Sequence, residues 1–182
     1  MEELKKQLRQ NYVNFTDFMK EQGPQQLMVN YEDVHRIADV FTKTPVTLQL
    51  LSETFSADGN QTFALTYMRG WLLFLNDFLN INKGIPAAIT DQLAYTIITR
   101  HRWITLADLK LIFDFILESR YGTFYGSIDT QRIITSFAEY ARERKDVEIK
   151  MKEKEVEQLK QEEREYVVPD FSKLPTLKNL FK

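Results

Sequence analysis

Two histidines stand 66 positions apart in a chain without cysteine, and neither His35 nor His101 has a second histidine at the spacing a metal ion requires. Zero cysteine also removes disulfides and thiolate nucleophiles. No glycine-rich phosphate loop occurs, since Gly70 stands alone in an apolar run. Asp77, between Asn76 and Asn80, is the one polar cluster inside that run. A single carboxylate without a proton-transfer partner does little chemistry, so it reads as a solvent-facing or capping group. The expectation is a protein with no enzymatic activity, no cofactor and no metal.

Binding chemistry has more candidates. Tyr121-Gly122-Thr123-Phe124-Tyr125-Gly126-Ser127 is the most unusual local segment. Tyr121, Phe124 and Tyr125 beside Arg120 resemble a platform on which bases stack. The alternative is that the glycines shape a tight interhelix connection while the rings plug the core. Arg100-His101-Arg102 offers a second local concentration of positive charge that could touch a phosphate. A helix–turn–helix can be drawn from Thr90–His101 and Leu106–Leu117, but its second helix carries Asp108, Lys110, Asp114 and Glu118, mostly the wrong sign for a DNA groove. Charge totals agree: 24 basic against 26 acidic residues leave no bulk field for coating nucleic acid. Direct contact with nucleic acid is expected to be weak or missing.

The elements that position these residues read as helices. Leu4, Leu8, Phe15, Phe18 and Met19 share one face of a first helix ended by Gly23-Pro24. A second is expected from Tyr31 to Phe41 with Asn30 as cap, and a third opened by Thr44-Pro45 with Leu48, Leu51 and Phe55 inward. Residues 56–60 read as a turn. Phe63 to Ile81 is the most apolar stretch, and Arg69, Asn76 and Asp77 inside it argue for a central core helix rather than a membrane span. A helix with Ile89, Leu93, Ile97 and Ile98 inward follows. Thr105 and Asp108 form a capping box before Leu109, Ile112, Phe113, Ile116 and Leu117. Asp129 caps a long last helix with Ile133, Ile134, Phe137, Tyr140 and Ala141 inward. The fold class is all-α: one helical bundle of about six to seven helices with a long charged C-terminal helix and an extended tail.

Charge divides the chain. Residues 1–140 form the helical body. Residues 141–166 hold 17 charges in 26 positions, a charged helix, or arm, whose Ile149, Val156 and Leu159 sit at heptad positions interrupted by Lys145 and Lys152. Such a seam suits either a solvated helix or weak pairing with a partner helix, including a second copy of the chain. Residues 167–182 carry apolar anchors Phe171, Leu174, Leu177, Leu180 and Phe181 among three lysines. They either fold back on the body or serve as a docking peptide for a protein partner.

From Pro45 to Arg144 the chain resembles an uncharacterised helical family of phages and mobile elements of gut bacteria. The runs that carry the resemblance are Leu75–Asn80, Ala88–Ala94, Leu106-Ala107-Asp108, Tyr121 through Asp129, and Tyr140-Ala141-Arg142-Glu143-Arg144. Ser127 stands where a basic residue is often found in such sequences. The resemblance implies a small adaptor in DNA replication, of helicase-loader type, in the cytoplasm of a bacterial host. The alternative is a virion component, a connector, portal-associated or internal protein ordered by its neighbours. The charged arm and tail lie outside the resemblance and read as this chain's own attachment device.

Overall fold

The computed structural model describes residues 2–55, 62–80 and 83–165, which form nine helices and no strand. The fold is all-α. In order they are α1 (Glu2–Asn11), α2 (Phe15–Gln22), α3 (Pro24–Asn30), α4 (Ile37–Val40), α5 (Leu48–Phe55), α6 (Thr62–Leu79), α7 (Ala87–His101), α8 (Leu106–Leu117) and α9 (Thr130–Glu165). The chain divides into a first compact unit, Met1–Lys145, and a second, Asp146–Lys182. The turn expected at 56–60 lies outside the described residues.

Helix boundaries near the N-terminus depart from the sequence reading for local reasons. The expected first helix breaks at Val13, because the Asn14 side chain accepts from the Asp17 backbone N–H at 3.0 Å and starts α2 afresh. Gly23-Pro24 ends α2 and at once begins α3, with Pro24 in the first turn where its missing N–H costs nothing. Asn30 therefore closes a helix instead of opening one, and its amide donates to the Glu21 carbonyl. Only Ile37–Val40 of the expected second helix forms. Thr44-Pro45 does not open α5: the chain stays extended, Thr47 bridges to Thr105, and the Thr47 hydroxyl accepts from the Leu50 N–H.

α6 and α8 share the centre of the first unit: Tyr67, Met68, Trp71, Leu72 and Leu75 of α6 are fully buried, as expected of a core helix. Ten residues of α8 are buried, including Asp108 and Lys110. Trp71 of α6 packs on Phe113 at 4.6 Å between ring centroids, and Phe113 meets Phe137 of α9 edge-on at 6.1 Å. A second aromatic cluster joins Phe18, Phe55, Phe63 and Tyr67, and the Tyr67 hydroxyl donates to the Gln22 carbonyl. Each such side chain contributes about 1.5–3 kcal/mol of burial. Leu73 and Phe78 of α6 face solvent, as does Ile89 of α7, where Thr90 is buried in the position expected of it. Asp77 is exposed, and the Asn76 side chain both accepts from and donates to the Ile85 backbone, tying the ends of α6 and α7 together.

Candidate partner-binding surfaces and the node beneath them

A buried carboxylate joins the start of α8 to the interior of α9. Thr105 and Asp108 make the expected capping box, with the Thr105 N–H and hydroxyl both donating to Asp108 Oδ2 at 2.9 and 2.8 Å. The other oxygen, Oδ1, accepts from the Tyr140 hydroxyl at 2.6 Å and from Arg144 Nε at 2.8 Å. Asp108 is fully buried, so this cap is also an ion pair enclosed by protein. The Arg144 guanidinium lies against the Phe41 and Trp103 rings at 4.6 and 5.0 Å. Desolvation first, then the Asp108 charge, pushes the Tyr140 hydroxyl far above its ordinary pKa, which keeps it a donor.

This node was missed from sequence beyond its capping half. The available signal was the pairing of Tyr140 and Arg144 at i,i+4, on the α9 face that also carries Phe137 and Ile133. It shows what two of the resemblance motifs do: Leu106-Ala107-Asp108 and Tyr140 through Arg144 meet as a structural clamp. Glu143, in the same run, pairs with Arg120 at 2.6 Å. The same geometry removes the helix–turn–helix reading. Asp108 and Lys110 are not offered to a groove; Lys110 is buried, donates to the Val34 carbonyl at 2.9 Å and pairs with Asp114.

The aromatic segment between α8 and α9 is anchored at several points. Gly122 adopts φ +112° and Gly126 φ +70°. A Cβ at Gly122 would fall 1.6 Å from Arg132 Nη1, so the glycine makes room for the guanidinium that donates to the Tyr121 carbonyl. Ile128 N–H donates to the Lys83 carbonyl, holding Ser127 beside Lys83. Tyr121 is half-buried edge-on to Phe115, and Arg120 lies 4.0 Å over the Phe115 ring. Burial raises the Tyr121 pKa well above its ordinary value. Phe124 is partly buried, and Tyr125 is 85 % exposed. The segment therefore presents one free ring. Arg100 and Arg102 are exposed at the α7–α8 turn, while His101 between them is packed against Trp103 and Phe137.

The second unit offers a different surface. Ile149, Met151, Val156 and Leu159 of α9 are exposed on a helix that is otherwise mostly charged. Ile149 and Val156 share a face with Lys152, Glu153, Glu157 and Lys160. The tail anchors Phe171, Leu174, Leu177, Leu180 and Phe181 lie outside the described residues. So do any metal ligands there; among the described residues no group of three or more His, Asp or Glu could hold a metal ion. No described helix is long and apolar enough to cross a membrane.

Residues 84–169 match the model of a family of unknown function, DUF6633. The match spans α7, α8, the aromatic segment and α9, and leaves Pro45–Lys83 outside. It corrects the expected extent of the resemblance, because the charged part of α9 lies within the family pattern and is not an addition peculiar to this chain. No curated protein and no solved structure matches.

Proposed function

We propose that this protein is a non-enzymatic adaptor that works by protein–protein contacts, with the charged part of α9 and the tail at 167–182 as its binding device. The observation that carries the reading is the exposed Ile149, Val156 and Leu159 series on α9. Apolar side chains repeated on an otherwise charged helix are the form in which a helix is recognised by a groove or by another helix. The tail adds Phe171, Leu174, Leu177, Leu180 and Phe181 within a short segment. The exposed Tyr125 and the Arg100–Arg102 turn are the candidates for a second contact from the first unit.

In its finer form the reading is a replication accessory of helicase-loader type, encoded by a phage or mobile element and acting in the bacterial cytoplasm. That form rests on the resemblance alone. The competing reading is a virion component. Retention of partners from native cells on the full-length chain and on one truncated after Tyr166, identified by mass spectrometry, separates them. Helicase, primase or polymerase retained only by the full-length chain supports the adaptor. Capsid, portal or tail proteins would replace it with the virion reading. Salt-sensitive binding of single-stranded DNA, lost in Tyr125→Ala, would instead move the function to the aromatic segment.

A further inference from the structure

We infer that the first unit holds a binding site for a neutral purine base of adenine type, separate from the α9 surface and independent of the adaptor reading. The site is a cavity of about 210 Å³ where α1 and α2 meet the extended residues 44–46 and the start of α8. The inner part of its lining is apolar, with Phe18, Val46 and Leu106 all buried. Tyr12 stands in the wall, and Gln22 Nε2 donates to its hydroxyl at 3.0 Å, which fixes that side. Gln7, Asn11 and Thr44 are exposed and form a polar rim. Among the described residues, the carboxamides of Gln7 and Asn11 and the Thr44 hydroxyl have no hydrogen-bond partner in the protein. All three are free to bond a ligand.

Size and chemistry narrow the occupant. A cavity of about 150 Å³ takes a benzene ring, and pockets for drug-sized molecules begin near about 300 Å³. The volume here lies between the two and suits one fused two-ring system. Among the described residues no acidic or basic side chain lines the cavity, and Lys43 beside Thr44 is already paired with Asp33. Burying a charge against this lining without a counter-ion is costly, which disfavours phosphate, carboxylate and ammonium ligands. A flat ring buries its faces against the apolar part while its polar edge turns to the rim. A carboxamide presents one donor and one acceptor side by side, the pair that matches the N7 and N6 amino group of adenine. Guanine is read best by Arg or Lys and cytosine by Asp or Glu, which this lining lacks.

The test titrates full-length protein with adenosine, uridine, indole and ATP, followed by NMR at the Tyr12 and Phe18 rings. The expected result is saturable adenosine binding with Kd below about 1 mM, at least about tenfold tighter than uridine or indole. ATP binds no tighter than adenosine, because nothing in the lining pairs with its phosphates. Asn11→Leu and Gln7→Leu, both at exposed positions, each weaken adenosine at least about fivefold and leave the urea midpoint unchanged. No saturable shift up to about 10 mM adenosine overturns the site. Indole bound as tightly as adenosine also overturns it, since the cavity would then select for an apolar shape alone. So does an adenosine affinity unaltered in both variants, or tighter binding of ATP that falls with salt. Failure of the partner-retention experiment leaves these outcomes untouched, because the cavity shares no residue with α9 or the tail.

Discussion

Asp108 ties the start of α8 to α9. Its carboxylate is fully buried and accepts from Thr105, Tyr140 and Arg144. Removing one charge of such a pair leaves the other desolvated and uncompensated, so Arg144→Ala should cost about 3–5 kcal/mol in urea unfolding. Arg144→Lys should recover part of that, because an ammonium keeps the charge but not the planar stacking on Phe41 and Trp103. Tyr140→Phe should cost less, about 1–3 kcal/mol, since Asp108 keeps its other donors. A cost near zero for Arg144→Ala would mean that the ion pair does not hold α8 to α9. His101 sets a different dependence. Burial, then the Arg100 charge, holds its pKa below the ordinary 6.5. The unfolded chain then binds a proton that the folded chain declines. Stability from this group is therefore complete above about pH 6.5 and falls as the pH drops through that value. His101→Phe should flatten the urea midpoint between about pH 5 and 7; an unchanged slope would assign that dependence elsewhere.

Among the elements, the aromatic segment is held by backbone geometry that only glycine tolerates at one position. Gly122, at φ +112°, lies outside the left-handed well near about +57° and faces the Arg132 guanidinium, whereas Gly126 at +70° lies close to that well with nothing within 4 Å. Gly122→Ala should therefore destabilise by about 2–3 kcal/mol and Gly126→Ala by about 1 kcal/mol, in that order, by thermal unfolding. The reverse order would mean that Arg132 yields freely. How far elements could be read from the sequence follows from the same physics. The Thr105–Asp108 cap, the α9 stripe through Tyr140 and the turn glycines are local signals, and each is where spacing placed it. α3 was not read because Gly23-Pro24 ends one helix and starts another within two residues, and periodicity cannot tell a stop from a restart. The inward placement of Ile89 failed because hydropathy does not say which side of a helix its neighbours cover. The node around Asp108 was half visible: its cap is local, but Tyr140 and Arg144 reach it across more than thirty residues, and only the packed chain brings them together.

In the whole molecule, stability and the proposed recognition lie in different places. The first unit packs around α6 and α8, with the Asp108 node joining α8 to α9, while the exposed face of α9 and the tail are proposed for binding. Val156→Glu should leave stability within about 0.5 kcal/mol of the parent, because its side chain already faces solvent. The most direct measurement pairs two readouts on one tail variant, Leu177→Asp with Phe181→Asp in the full-length chain: the unfolding midpoint, and quantitative mass spectrometry of proteins retained from native cells. The expected result is an unchanged midpoint with loss of the retained partners. Partners retained as fully as by the parent chain would contradict it, and would return the search for the binding surface to Tyr125 and the Arg100–Arg102 turn.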